Sequence, residues 1–425
     1  MILQFALNTI PAKFTAALIS LALFAVLLFC AAWYIVTYGL TDDRLPIPLS
    51  ALYAGANYLP NSPRIHARIA AGEMQGISRD LNKAESHIRQ AIELMPREYN
   101  YHLMLASILE SQGNKEDAEK SYREALVLAP NYMEVNWRLA NNLLRQNKIK
   151  ESLDYFRFAT NKNLSLLPNC YDLIWNVSNG DISALSGITN SSAKAQLMLA
   201  QYLARQTKFH EAAAIFRRVD REARQAEPES SLIISELVNA NQLVLARELW
   251  GELLTIDATK PQPIIWNGSF ESSISPSLAQ FDWMLRDNPY ARTVIDPQEG
   301  KTGANSLRIY FLGKDTARID GEIKQILMLK PGKHYRLECQ YKTRDLTTPM
   351  GPRIAITDLS SKNVIGASEP IPEGTRTGWQ SIGFEFTAPV SSGAALLQIQ
   401  RIPQGGYDEP SKGYLWFDDF TLKEQ

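Results

Sequence analysis

One residue pattern recurs along this chain at a fixed spacing of 34 residues, and that period restricts the fold more than any other feature. Ala84, Ile88, Ala91 and Pro96 return as Ala118, Tyr122, Ala125 and Pro130, and again as Ser152, Phe156, Ala159 and Leu164. After a gap, Ala212, Phe216 and Val219 are followed 34 residues later by Ala246, Trp250 and Leu253. Such a period implies stacked helix-turn-helix units, each of which buries its apolar face only against its neighbours. The units fall at 65–98, 99–132, 133–166, 193–226 and 227–260. The position held by Ala84, Ala118, Ser152, Ala212 and Ala246 is small, as a close helix crossing demands, and Gly72, Ala106, Ala140 and Ala200 serve likewise in the first helices. Ile234 is the departure at that position. Pro96 and Pro130 stop their helices because proline cannot continue the hydrogen-bond ladder. Residues 167–192 break the frame, although Asp172–Val177 and Ile182–Leu185 fit a shortened helical pair. Leu49–Leu59 fits a half unit capping the stack.

Ahead of the repeats, Phe14–Val36 is a run of 23 residues without a charge, which at about 1.5 Å per residue crosses a bilayer core of roughly 30 Å. The run ends in Trp33 and Tyr34, residues suited to an interfacial belt. A cleaved signal peptide is the competing reading, but its apolar region is typically about 7–15 residues. The N-terminal part therefore divides into a tail at 1–13, a transmembrane helix at 14–37, and a linker with a capping half-repeat at 38–64. Lys13 before the span balances Arg44 after it, and the terminal amine tips the count toward a cytoplasmic N-terminus and an exported body. A formal net charge of -1 gives no reason to expect a nucleic-acid partner. Of the three cysteines, Cys30 lies in the span, and Cys170 and Cys339 read as buried free thiols.

The repeat pattern resembles the tetratricopeptide repeat, most closely in the unit at 99–132. That resemblance implies an all-α solenoid over 65–260, interrupted at 167–192, whose first helices line a protein-binding groove. Transferred position by position, the groove residues are Asn100, Leu103, Ser107 and Glu110, then Glu134, Trp137, Asn141 and Arg145, then Lys194, Leu197, Gln201 and Arg205. Asn141, Arg145, Lys194 and Arg205 resemble the polar and basic lining by which some of these proteins grip a peptide or its terminal carboxylate. A solvated helix face is the plain alternative for each.

Beyond residue 260 alternation replaces the helical period. Leu307, Ile309 and Phe311; Tyr335, Leu337, Cys339 and Tyr341; and Ile382, Phe384 and Phe386 each occupy every second position. Further apolar runs at 322–329, 353–359, 394–402 and 414–422 bring the expected strands to about eight, an antiparallel jelly-roll sandwich over 261–425. Asn267-Gly268-Ser269-Phe270-Glu271, Gly303–Ile309, Leu327–Leu337 and Leu415–Leu422 resemble segments of carbohydrate-binding modules with the galactose-binding-like sandwich. The resemblance implies glycan contact, for which Trp283, Tyr290, Trp379 and Tyr407 are the candidate aromatic residues. It also implies that Glu271 and Asp418 hold a structural calcium. If Trp416, Phe420 and Leu422 point inward, Asp418 does too, and its partner is calcium, backbone amides or an arginine.

No nucleophile motif, metal-ligand spacing or phosphate-cradling loop stands out, so the chain reads as a non-enzyme that requires no cofactor. The architecture resembles proteins of bacterial exopolysaccharide and cell-envelope systems. It implies a single-pass inner-membrane scaffold that holds a protein partner and touches polysaccharide. The alternative is an envelope adaptor that binds protein only, with a structural sandwich.

Overall fold

The computed structural model describes residues 10–42, 44–75, 79–254, 262–313, 317–390, 393–403 and 410–425. The chain packs as two compact units, Met1–Asn190 and Ser191–Gln425. The change of period near residue 260 therefore does not mark where the packing divides: the last helices belong with the sandwich.

The first unit begins with α1 (Ile10–Thr41), followed by α2 (Leu49–Tyr58), α3 (Pro63–Gln75), α4 (Leu81–Leu94), α5 (Tyr99–Ser111), α6 (Lys115–Leu128), α7 (Met133–Arg145), α8 (Ile149–Lys162), α9 (Leu167–Val177) and α10 (Ile182–Ile188). Ala17–Thr41 of α1 is long and apolar enough to cross a membrane, and its most apolar stretch is not buried by the rest of the protein. The interruption at 167–192 is itself a helix pair, α9 and α10, shortened to 11 and 7 residues. Asp80 and Asp181 cap α4 and α10 through backbone amides of Lys83 and Ser183, satisfying donors that a helix start leaves open.

The periodic positions form the core. Ala84, Ala118 and Ser152 are fully buried, and so are Ile88 and Phe156 four residues on. Burial of one such aliphatic or phenyl side chain contributes roughly 2–3 kcal/mol. Each proline that ends a helix leaves a free carbonyl, and the next helix supplies its donor. His66 Nε2 meets Pro60 O at 2.8 Å, His102 Nε2 meets Pro96 O at 2.9 Å, and Asn136 Nδ2 meets Pro130 O at 3.1 Å.

The second unit carries α11 (Ala193–Arg205), α12 (Phe209–Arg218), α13 (Arg221–Ala226), α14 (Glu229–Asn239) and α15 (Leu243–Leu253). Ala212, Phe216, Ala246 and Trp250 are again fully buried. The turns inside the helix pairs recur at one repeat position with positive φ: Gly113 and Asn147 in the first unit, Thr207 and Asn241 in the second.

The sandwich follows, with β1 (Met284–Leu285), β2 (Ala291–Asp296), β3 (Ser306–Leu312), β4 (Ile323–Met328), β5 (His334–Thr347), β6 (Arg353–Asp358), β7 (Val364–Ala367), β8 (Gly374–Thr387), β9 (Ala394–Gln400) and β10 (Lys412–Glu424). The strands pair antiparallel in two five-stranded sheets, ordered β1-β4-β9-β6-β7 and β2-β3-β10-β5-β8. The strands beyond the expected eight are short or at the sheet edges. Leu307, Ile309, Phe311, Leu337, Cys339, Ile354, Ile356, Leu397 and Ile399 fill the core between the sheets.

The expected phase of β10 is corrected. Leu415 and Phe417 enter the core with Phe420, whereas Trp416 points to the opposite face, where its Nε1 donates to Asp296 at 2.9 Å. A register shift between Asp418 and Thr421, with Asp419 at φ 50°, is a β-bulge that flips the alternation for the last residues.

Candidate functional site

The groove residues of 99–166 are drawn together, mostly onto each other. Arg145 Nη1 pairs with Glu110 at 2.6 Å, and the same carboxylate accepts from Tyr122 Oη at 3.2 Å and Asn142 Nδ2 at 3.1 Å. Arg138, which bonds Glu134 at 2.6 Å, also donates to Ser107 Oγ at 2.9 Å. Asn100 bonds Glu98 at 2.9 Å and Asn141 bonds the Trp137 carbonyl at 2.7 Å. Trp137 is half-buried, its ring meeting that of the buried Phe156 edge-on at 5.4 Å. That contact gives Trp137 a packing role beside its groove position.

The second unit repeats the arrangement. Lys194 lies 3.6 Å from Glu229 and 3.8 Å from Glu227, and Arg205 lies 2.8 Å from Glu236. Gln201 is half-buried on α11, while Leu103 and Leu197 are core residues. Arg145, Lys194 and Arg205 are therefore already engaged by acids about one repeat away, and a ligand carboxylate must compete for them. The competition is mild, since an exposed pair contributes about 0–1 kcal/mol. Glu119 shows the tighter form of the same ladder. Burial pushes its pKa up, yet bonds from Lys148, Arg123 and Gln146 prevail and hold it at about 2. Arg138 and Asn142 were missed in the sequence; the spacing of four between Glu134 and Arg138 was the available signal.

In the sandwich, Trp283 is fully buried, its ring tilted against those of Phe270 and Phe420 at centroid distances of 5.1 and 4.9 Å. Its Nε1 donates to Asn267 O at 3.1 Å. A ring with no exposed face cannot carry a sugar, so Trp283 is corrected from platform to core. Tyr290 packs half-buried against the same core. Trp379 is half-exposed on β8, and Tyr407 lies outside the described residues. The outer face of the second sheet carries aromatic residues that alternation alone did not single out. Tyr310 stacks on Tyr414 at 4.7 Å, Tyr414 on Trp416 at 5.6 Å, and the Arg344 guanidinium lies over Tyr414 and Trp416 at 4.7 and 5.1 Å. These contacts occupy the ring surface that a sugar would need.

The two carboxylates expected to hold calcium are filled by amides. Asp418 Oδ2 accepts from the backbone N–H of Lys301 at 2.6 Å and of Thr302 at 3.2 Å, and its Oδ1 accepts from that of Asp419 at 2.7 Å. Glu271 Oε1 accepts from the backbone N–H of Ala304 at 3.0 Å and of Asn305 at 2.7 Å. N–H groups aimed at these oxygens occupy the lone pairs a cation would use, so Glu271 and Asp418 do not fit a calcium pair. Among the described residues, no group of three or more His, Cys, Asp or Glu converges on a common point. Burial pushes Asp418 up to about 6 against the opposing pull of its amide donors. The pair instead clamps one loop between the first and last segments of the sandwich.

The tetratricopeptide repeat family profile matches residues 78–132, the stretch that spans α4, α5 and α6. Among curated proteins none matches this chain. Among solved structures, one described as CBM4 is 17% identical, with 38% of this chain and 99% of that chain covered and a TM-score of 0.28. The thermophilic tetratricopeptide repeat protein TTC0263 of Thermus thermophilus is 20% identical over 31% of this chain and 70% of its own, with a TM-score of 0.26. YrrB, a tetratricopeptide repeat protein with an unusual peptide-binding site, is 13% identical over 49% and 94%, with a TM-score of 0.26. Similarities of this size locate no site and assign no ligand.

Proposed function

We propose that this chain is a non-catalytic scaffold anchored in a bacterial inner membrane by α1, with its N-terminus cytoplasmic and its body exported. Its helical repeats hold a protein partner, and its sandwich touches glycan during exopolysaccharide or envelope assembly. The observation that carries the protein-binding part is the coincidence of the tetratricopeptide match at 78–132 with helix pairs whose periodic positions are fully buried. Stacked repeats of this kind present extended surfaces suited to holding rather than converting a ligand. Asn100, Trp137, Asn141 and Gln201 are accessible groove positions, while Arg145, Lys194 and Arg205 take part by exchanging their present acids for those of the partner. For glycan, the half-exposed Trp379 is the remaining described candidate beside Tyr290.

The test is photo-crosslinking in cells from position 137, with the exposed Glu124 on α6, the second helix of the preceding pair, as the comparison. A discrete adduct at 137 that is absent at 124 supports the groove, and equal labelling at both refutes it. Glycan-array binding by the full chain, lost in Trp379→Ala, supports the sugar contact. No binding would leave the sandwich structural and the protein an adaptor for protein partners alone.

A further inference from the structure

Residues 38–64, expected as a linker with a capping half-repeat, carry the helix α2, which joins the end of α1 to α3. The Arg68 guanidinium on α3 donates to Gly39 O at 3.2 Å, Leu40 O at 2.9 Å and Leu45 O at 2.6 Å. It thereby closes the end of α1, whose last carbonyls lack partners within the helix. Leu40 wedges against Gly55 of α2 and Leu49 against Gly72 of α3, so closely that a Cβ on either glycine would sit 2.9 Å from a leucine methyl. Leu40, Ile47, Leu49 and Leu59 pack on the buried Leu52, Ile65 and Ile69. The end of α1, α2 and α3 are thus one packed piece.

An almost wholly apolar groove of about 290 Å³ opens between α1 and the end of α2, lined by Phe29, Trp33, Val36, Leu40, Tyr58 and Leu59. Its depth follows from the length of the span. Were the whole groove outside the hydrocarbon, only the uncharged stretch Phe14–Leu28 would remain to cross, roughly 22 Å against a core of about 30 Å. The lower groove therefore lies within the hydrocarbon. Its upper rim, where Tyr58 is 75% exposed, then falls at the level where amphipathic rings are favoured.

We propose that this groove seats an acyl chain of a bilayer phospholipid, and that α2 lies at the membrane surface as a fixed seat for the first helix pairs. The inference rests on reading α1 as a membrane anchor, continuous with the exposed apolar surface of Ala17–Thr41.

The test uses the full chain in phosphatidylcholine–phosphatidylglycerol nanodiscs. Cys30 is replaced by Ala, and an environment-sensitive fluorophore is attached to a single cysteine at Phe24, Tyr58 or the exposed Glu93; the native Cys170 and Cys339 are buried. Spin-labelled lipid is expected to quench the probes at 24 and 58 several-fold more than the probe at 93. A label near the lipid carbonyls should be the better quencher at 58, and a label deep in the chain the better quencher at 24. Ala32→Trp, which fills the groove, is expected to cut quenching at 58 at least two-fold and leave 24 unchanged. Quenching at 24 with an aqueous probe at 58 overturns this inference alone, as does undiminished quenching at 58 in Ala32→Trp. An aqueous probe at 24 overturns the anchor reading as well.

Discussion

Trp250 offers the sharpest test of how the second unit is held together. Its side chain is fully buried, its Nε1 donates to Leu278 O at 2.6 Å, and its ring meets Trp266 and Phe281 edge-on at 5.5 and 5.9 Å. The Arg247 guanidinium, brought down to about 10 by burial, lies over the same ring at 4.3 Å. One residue of the repeat period thus joins α15 to the opening segment of the sandwich. Removing about 200 Å² of buried surface at roughly 25 cal/mol per Å² costs about 5 kcal/mol, in line with the roughly 3–5 kcal/mol typical of aromatic-to-alanine changes in cores. The orphaned Leu278 carbonyl adds about 1 kcal/mol. Trp250→Ala should then lower the melting temperature of the second unit by about 10–20 °C, at roughly 2–4 °C per kcal/mol for a unit of this size. Trp250→Phe, which keeps most of the surface but loses the hydrogen bond, should cost about 1–2 kcal/mol. The measurement is thermal unfolding of the full chain in detergent with hydrogen exchange resolved by peptide. Faster exchange should appear in α15 and in 264–283, and not in α1–α10. A Trp250→Ala protein melting within about 3 °C of the parent would refute the reasoning, and so would a Trp250→Phe protein as damaged as Trp250→Ala.

Thr207 holds φ 59° where equivalent turns use Gly or Asn, so Thr207→Gly should raise stability by about 1 kcal/mol in denaturant unfolding. Gly303 has φ +79° and its missing Cβ would lie 2.5 Å from Glu271 Cδ. Gly303→Ala should therefore destabilise the sandwich by about 2 kcal/mol or more, read as a lower midpoint for the second unit. Glu119, depressed to about 2 from 4.5, contributes stability that is fully present above about pH 4.5 and is lost as pH falls toward 2. Glu119→Gln should be less stable at pH 7 by about 1 kcal/mol, with the gap closing across that acidic window in a series of denaturant titrations. Millimolar calcium or a chelator should leave the melting temperature of the sandwich unchanged, since amides already fill Glu271 and Asp418; a calcium-dependent rise would reverse that assignment.

Much of the helical architecture was legible because repetition reports packing directly. The small residues at 84, 118, 152, 212 and 246 are fully buried, and a crossing point tolerates no other size. The groove was legible only as a set of positions. Which charges pair across it depends on acids about a repeat away, such as Glu110 for Arg145 and Glu236 for Arg205, and no local pattern announces them. The strands with clean alternation, β3, β5 and β8, were readable, whereas β1 and β7, at 2 and 4 residues, are too short to show a period. In β10 the bulge at Asp418 reverses the inward face, so Trp416 and Leu415 exchange sides relative to simple alternation. Trp283 reads as a candidate glycan contact in the sequence because its burial depends in part on Phe420, which is distant in sequence.

β10 is the latest strand in chain order, yet it sits in the middle of its sheet between β3 and β5. The contact it makes through Trp416 and Asp296 joins residues 120 apart in sequence. Until it arrives, two apolar strands offer open edges to any passing β-segment, and so high a contact order makes that interval long. During synthesis the sandwich is thus the aggregation-prone part of the chain, and a chaperone shielding β3 and β5 would act where the exposure lasts longest.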